Sequence, residues 1–164
     1  MGQRGFLDVD RYWAQFLASL PNTPVRPRRY HDAFSFGTSK ESAKLIAALV
    51  LDGTKTATGS LLWVYEAEGK PIPKPGDYSI VTIGEGEPVC IIRDTEITVV
   101  PYDEVDEAFA RDGGEEDRTL ASWRKIYWDY ILVECARIHR KPASNTPLVC
   151  ERFRVVYREP LKRE

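Results

Sequence analysis

Residues 78–93 read YSIVTIGEGEPVCIIR. Two runs rich in β-branched and apolar residues, 78–83 and 89–93, flank a short segment with glycines and a proline, which predicts a β-hairpin. The run 95–100 continues as strand because it is rich in β-branched residues. A final strand is predicted at 148–157. The middle and the end of the chain therefore supply strands that pair with one another.

Helical periodicity surrounds these strands. In 8–20, apolar residues recur at spacings of three and four. A capping box with a hydroxyl at Thr38 and a carboxylate at Glu41 opens a helix that Gly53 ends. Further helices are predicted at 60–68, at 101–111, and from Asp117 or Thr119 to about Arg137. Because this order is not a βαβ repeat, the sequence predicts one α+β domain, a small and mainly antiparallel sheet or barrel flanked by helices.

The composition narrows the function classes. The 164 residues carry 23 Lys and Arg against 25 Asp and Glu, a formal net charge of −2. This balance excludes a protein that coats nucleic acid by charge alone, so a contact with nucleic acid needs a local basic cleft.

No apolar run reaches the roughly 20 residues of a membrane helix, and the first residues lack the apolar core of a signal peptide. Both features predict a cytoplasmic protein with no membrane partner. Three scattered cysteines and two histidines predict buried thiols, and they argue against a metal site or His-based catalysis.

The segment 52–60, DGTKTATGS, combines a lysine, several hydroxyls and two glycines where a helix ends. Glycine lets the backbone approach a ligand closely, Lys55 offers a positive charge, and Thr58 and Ser60 offer hydroxyl hydrogen bonds. It is not a P-loop, because GxxxxGK[ST] is absent and no predicted strand leads into it. Two interpretations stay open: a ligand-binding segment, or a helix C-terminus at which Lys55 complements the dipole.

The segment 111–118, RDGGEEDR, is the acidic counterpart. Two glycines followed by three carboxylates predict a flexible loop that ends at a helix N-terminus. One interpretation is that the carboxylates complement the helix dipole. The other is that Glu115 or Glu116 enters a cleft as a general base.

The long helix at 119–137 has two notable faces. The face predicted to be core carries Trp123, Tyr127 and Tyr130. Arg124 and Trp128, four residues apart, lie on another face, where they offer a stacking surface or a phosphate contact.

Charged residues also occur in the predicted strands. Alternation places Arg152 on the face opposite to Glu151, and Arg93 ends the predicted hairpin. These side chains either line a groove or lie on the surface, and alternation alone favours neither.

The motifs and their order resemble the ASCH-domain family of small PUA-like β-barrels. The matching segments are 34–37, 53–58, 73–78, 89–93, 101–105, 120–124 and 149–153. Together they span about residues 34–157 in family order, which is more specific than any single motif. The resemblance implies a PUA-like domain at 34–158, an N-terminal helical extension and linker at 1–33, and a C-terminal tail at 159–164.

The family signature GxKxxT is present without a gap at 53–58. The family fold places this signature beside a cleft for RNA or modified nucleosides. Some members look like hydrolases, either amidohydrolases that remove the acetyl group of N4-acetylcytidine or ribonucleases. The amidohydrolase group uses the signature lysine and threonine with a downstream glutamate, so the resemblance implies Lys55, Thr58 and Glu115 as catalytic residues. Larger relatives carry an EGEGD-like loop where this chain has GGEED, so Glu116 competes with Glu115.

The leading hypothesis is a hydrolase that binds RNA or a nucleoside-like ligand and needs no cofactor. Thr58 would attack an acyl group while Lys55 takes its proton. Glu115 would activate water or protonate the leaving amine. In the ribonuclease version, Lys55 and Arg93 would instead stabilise charge on phosphate. The alternatives are a non-catalytic single-stranded RNA-binding module and a protein-interaction domain. Further ligand contacts are expected from Ser60, Arg93, Glu116, Arg124, Trp128 and Glu151.

Overall fold

The structure is a computed structural model that describes residues 4–23 and 25–158, with side chains from residue 8 on. These residues form two compact units. The first unit comprises the described residues up to Gly53, Gly76–Arg93 and the described residues from Arg154 on. The second unit comprises Thr54–Pro75 and Asp94–Phe153. The predicted tail at 159–164 lies outside the described residues.

Helices and strands alternate irregularly along the chain, which confirms the predicted α+β class. The helices are α1 (Arg4–Ser19), α2 (Lys40–Leu51), α3 (Leu62–Glu68), α4 (Glu107–Gly113) and α5 (Leu120–Arg137), with a 3-10 turn at Tyr102–Glu104. The strands are β1 (Asp32–Phe34), β2 (Ala57–Leu61), β3 (Tyr78–Ile83), β4 (Glu87–Pro101) and β5 (Pro147–Arg158). The predicted hairpin is β3 and β4, and the predicted long helix and final strand are α5 and β5.

The first unit is built on the β3–β4 hairpin. Strand β3 runs antiparallel to β4 with Ile80 opposite Ile91, and β1 lies parallel to β3 on its other side. The apolar face of α1 covers the hairpin, because its residues at spacings of three and four share one face. The buried residues of this cluster are Val9, Tyr12, Trp13, Phe16, Ile80 and Ile91. The N-terminal helix thus forms part of the core of this unit.

The second unit contains the strands in the order β4-β5-β2. Strand β2 is antiparallel to β5, with Ala57 opposite Arg152 and Leu61 opposite Leu148. One face of this pair packs against α4 and α5. The buried cluster on that face includes Ala57, Leu61, Phe109, Trp123, Tyr127, Ile131, Leu148 and Cys150.

The predicted helix at 60–68 begins later than expected. Residues up to Leu61 belong to β2, and the helix occupies only Leu62–Glu68. The reason is a pairing with β5, a strand that lies far away in the sequence and leaves no trace in the local apolar pattern. A helical interpretation of Ser60 and Leu61 was therefore wrong.

Two further boundaries differ from the sequence pattern. The predicted helix at 101–111 is broken, because Val105 is extended and the Asp106 carboxylate caps a new helix by accepting from the Phe109 amide. The cap of α2 is Ser39 instead of Thr38, and Ser42 completes its capping box. At both helix starts, a hydrogen bond from a backbone amide to a side-chain oxygen determines which of several polar residues is the N-cap.

The described helices include none that is long and apolar enough to cross a membrane. All three cysteines are buried and free, as predicted. Across residues 4–23 and 25–158, no group of three or more His, Cys, Asp or Glu side chains is placed to hold a metal ion.

We expect Phe16→Ala to destabilise the protein by about 3–5 kcal/mol, because truncating a buried aromatic removes apolar contacts and leaves a cavity. Phe16 is 2% exposed, and its ring lies 5.5 Å from those of Tyr78 and Tyr157. Urea unfolding measures the effect. Leu45→Ala is the control on α2, since Leu45 is 64% exposed, and its cost should stay within about 0.5 kcal/mol. Equal losses for the two variants would contradict the packing of α1.

Candidate functional site

Lys55 is the most deeply buried charged side chain of the second unit, with 1% of its surface exposed. Its Nζ donates to the carbonyl oxygen of Ala57 at 3.0 Å, to that of Gly113 at 3.1 Å, and to a carboxylate oxygen of Glu115 at 3.1 Å. Three oxygen acceptors match the three N–H donors of an ammonium group. A buried cation is tolerated only with such partners, so the lysine fixes the positions of the groups around it.

The acceptors come from two segments that meet at Lys55. We call residues 54–58 the signature segment and residues 112–115 the acidic turn. The Thr56 amide donates to the Asp112 carbonyl oxygen at 2.8 Å, one hydrogen bond that joins the two backbones. The acidic turn therefore lies directly against the signature segment.

Gly114 makes this close approach possible. Its φ is +73°, in the left-handed region, and it forms the C-cap of α4. A Cβ at this position would lie 2.7 Å from the Thr54 carbonyl oxygen and 2.9 Å from the Lys55 Cα. Such distances are too short for any side chain, so only glycine fits here. The Gly-Gly pair in the sequence is the signal for this contact, although it was interpreted only as flexibility.

The two glutamates of the acidic segment have different surroundings. Glu115 pairs with Lys55, whereas Glu116 is exposed and has a φ of +53°. Asp117, the residue after Glu116, accepts hydrogen bonds at the N-terminus of α5. Hydrogen bonds from Ser122 and Thr119 lower the pKa of its carboxyl to about 2. Of the two glutamates, the geometry favours Glu115 as a partner of the signature segment.

Thr58 lies opposite Glu151 in the β2–β5 pairing. Residues directly opposite each other in an antiparallel pair share a face, with Cβ atoms about 4.5–5.5 Å apart. The side chains of Thr58 and Glu151 are 9% and 7% exposed. Ser60 belongs to the same face by alternation and exchanges a hydrogen bond of 3.2 Å with the Tyr65 hydroxyl. We call this the Thr58 face. It lies opposite the face that packs on α4 and α5.

Two tyrosines of α5 hold the outer edge of β2. The Gly59 amide donates to the Tyr127 hydroxyl at 3.0 Å, and the Leu61 amide donates to the Tyr130 hydroxyl at 3.1 Å. Burial raises the pKa of Tyr130 above its ordinary value, so its hydroxyl stays neutral and accepts this bond. These contacts satisfy strand amides that would otherwise lack partners. The sequence pattern identified both residues as core but gave no signal for their role at β2.

Three other expected ligand contacts, Arg124, Trp128 and Arg93, make contacts within their own units. Arg124 donates to the Asp103 carbonyl oxygen at 3.3 Å, and the Trp128 ring packs 5.4 Å from the Tyr102 ring. Both side chains therefore help to attach α5 to the 3-10 turn. Arg93 ends the hairpin segment of the first unit, where its guanidinium lies 5.3 Å from the Tyr78 ring centre.

A cavity of about 160 Å³ opens on the face of β5 that carries Cys150 and Arg152. It is smaller than the roughly 300–1,000 Å³ of most small-molecule sites. Burial raises the pKa of the Cys150 thiol to about 12, so this thiol is not a nucleophile at neutral pH. The Cys150 thiol therefore gives this cavity no nucleophile.

Comparisons with known proteins agree with the fold. The family model described as ASCH domain matches residues 32–157. The ASCH domain structure from Lactobacillus crispatus JV V101 is 30% identical, covers 92% of this chain and 95% of its own, and superposes with a TM-score of 0.86. A protein structure from Enterococcus faecalis V583 is 32% identical, with 92% and 89% coverage and a TM-score of 0.81. These likenesses confirm the predicted PUA-like α+β fold.

A more distant likeness concerns the fold alone. The structure of a mutant ZmASCH protein from Zymomonas mobilis is 10% identical, with a TM-score of 0.51 over 80% of this chain and 76% of that one. The search of the curated proteins found no match.

We expect Gly114→Ala to destabilise the protein far more than Gly69→Ala. Both glycines have positive φ, which costs a residue with a Cβ about 1–2 kcal/mol. At Gly69 a Cβ would have no neighbour within 4 Å, whereas at Gly114 it would overlap the signature segment and add about 1–3 kcal/mol. Urea unfolding of the two variants measures the difference. Equal losses would mean that the acidic turn does not lie against residues 54–55.

Proposed function

We propose that this chain, which belongs to the ASCH domain family, hydrolyses the acyl group of an N-acylated nucleoside on the Thr58 face. The observation that carries the proposal is the buried pair of Lys55 and Glu115. Its ammonium group also binds the carbonyl oxygen of Ala57, the residue immediately before Thr58. The ammonium group thus links the Glu115 carboxylate to the backbone directly before Thr58.

The reaction we propose is an acyl transfer to Thr58 followed by hydrolysis. The Thr58 hydroxyl attacks the acyl carbon, and its proton passes to the Glu115 carboxylate. The C–N bond then breaks, and Glu115 returns the proton to the leaving amine. Water hydrolyses the resulting ester, which releases the carboxylic acid and restores Thr58. Lys55 is paired with this carboxylate, so we assign the proton to Glu115 and not, as the resemblance implies, to the lysine. Lys55 orients Glu115 and places a positive charge near the oxyanion that develops.

The charges around Thr58 favour a neutral substrate over a phosphodiester. Within the second unit, the Lys55 charge is paired with Glu115 and the Arg152 charge is paired with Asp112. A polyanion gains affinity from cations that neutralise phosphates, and these side chains provide no excess of them. A nucleoside instead offers N–H donors of its base and hydroxyls of its ribose, which Glu151 and Ser60 can bind. We therefore favour an amidohydrolase over a ribonuclease.

The nucleophile is tested with N4-acetylcytidine and matched variants of Thr58. We expect the wild type to release cytidine and acetate, and Thr58→Val to lower kcat about 10³-fold or more, because valine keeps the shape but lacks the hydroxyl. Thr58→Ser keeps a hydroxyl and should retain activity within about tenfold. Chromatography of the nucleosides measures the rates, and thermal unfolding shows that each variant is folded.

Two results would contradict this function. One is a wild type that releases no cytidine, and the other is a Thr58→Val variant as active as the wild type. Retention of single-stranded RNA on a filter, weakening with salt and without release of cytidine, would instead support the RNA-binding module.

The carboxylate is tested by comparing Glu115→Gln with Glu116→Gln. Because only Glu115 pairs with Lys55, we expect the larger loss there, about 10²–10⁴-fold in kcat. The same assay measures both variants. A larger loss at Glu116 would assign the role of general base to that residue. If both variants are as active as the wild type, Glu115 has no part in the reaction.

A further inference from the structure

We propose that Arg152 is a positioning residue for the Lys55–Glu115 pair and acts through Asp112. The effect on turnover rests on the proposed function, whereas the effect on the geometry of Lys55 does not. The sequence pattern left Arg152 open as a surface or groove residue, and the resemblance assigned it no role.

Arg152, in β5, binds the first residue of the acidic turn. Its Nη1 donates to the Asp112 carboxylate, and its Nε lies 3.7 Å from a carboxylate oxygen of Glu96. The guanidinium also lies 5.5 Å from the centre of the Phe109 ring, on α4. The bond to Asp112 and the Phe109 ring orient the guanidinium, so it holds Asp112 in one direction. Glu96 adds little to this, because its side chain is 60% exposed.

Asp112 begins the acidic turn that ends at Glu115. Its carbonyl oxygen accepts from the Thr56 amide at 2.8 Å, while its carboxylate is held by Arg152. The next residue supplies the Gly113 carbonyl oxygen to Lys55, and Glu115 supplies the carboxylate. A change in the direction of Asp112 therefore moves two of the acceptors that surround the lysine.

Strand alternation separates Arg152 from the Thr58 face. Arg152 lies opposite Ala57, and Glu151 lies opposite Thr58. Neighbouring residues of a strand point to opposite faces, so a substrate on the Thr58 face does not touch Arg152. Its influence on the reaction must pass through the acidic turn, which is why it is a positioning residue and not a catalytic one.

The experiment compares Arg152→Met, Arg152→Lys and Asp112→Asn with the control Glu96→Gln. The control removes the other carboxylate partner of the same guanidinium but leaves Asp112 in place. The first readout is the ¹⁵Nζ resonance of Lys55, assigned by its absence in Lys55→Met. A buried, hydrogen-bonded ammonium group exchanges slowly enough with water to be observed.

We expect Arg152→Met and Asp112→Asn to shift or broaden the Lys55 resonance, Arg152→Lys to restore it in part, and Glu96→Gln to leave it unchanged. In the N4-acetylcytidine assay, Arg152→Met should lower kcat about tenfold while KM stays within about twofold, because the substrate contacts remain. The double variant Arg152→Met/Asp112→Asn should lose no more than the larger single loss, as expected for two residues that act as one unit.

An unchanged Lys55 resonance in both Arg152→Met and Asp112→Asn would overturn the proposal. So would a Glu96→Gln variant that shifts the resonance as strongly as Arg152→Met. If Arg152→Met does not fold, Asp112→Asn and Arg152→Lys provide the same comparison. If the wild type shows no turnover, only the proposed function is overturned. The Lys55 resonance then tests by itself whether Arg152 positions the Lys55–Glu115 pair.

Discussion

The buried ammonium group of Lys55 is the constraint on which the second unit depends. A charge without water around it is very costly unless oxygen acceptors replace that water. Here the acceptors are the Ala57 and Gly113 carbonyl oxygens and the Glu115 carboxylate. They belong to the start of β2 and to the acidic turn at the end of α4, so burial of the lysine requires that these two segments meet. The close approach of Gly114 follows from the same requirement.

The spacing of the GxKxxT signature has a physical meaning in this arrangement. The Lys55 ammonium group donates to the carbonyl oxygen of Ala57, two residues later and the first residue of β2. This bond fixes where the strand begins. From that point alternation sends Ala57 into the core and Thr58 to the opposite face. A slip of one residue in the β2–β5 register would bury the hydroxyl among apolar residues. The lysine therefore determines which face Thr58 occupies, whatever its part in the reaction.

The sequence predicts best what local periodicity encodes. The β3–β4 hairpin, the long helix α5 and the strand β5 follow from alternation, capping and turn residues. The strand β2 does not, because its pairing partner is remote in the sequence and its own residues are short and polar. The contact between Glu115 and Lys55 also has no local signal. The resemblance to a family implies Glu115, but its position against Lys55 depends on Gly114, whose steric role only the packed structure makes visible.

The acidic turn is held at both ends by cations from two different segments of the unit. Arg152 in β5 holds the Asp112 carboxylate, and Lys55 before β2 holds that of Glu115. With both carboxylates paired and two backbone carbonyls also bonded, the turn has its geometry before any ligand arrives, which lowers the cost of ordering it during a reaction. The same pairing uses both cations for positioning instead of phosphate binding. Preorganisation of the turn and the uncharged substrate that we propose thus rest on one feature, the neutralisation of each cation by a carboxylate of the acidic turn.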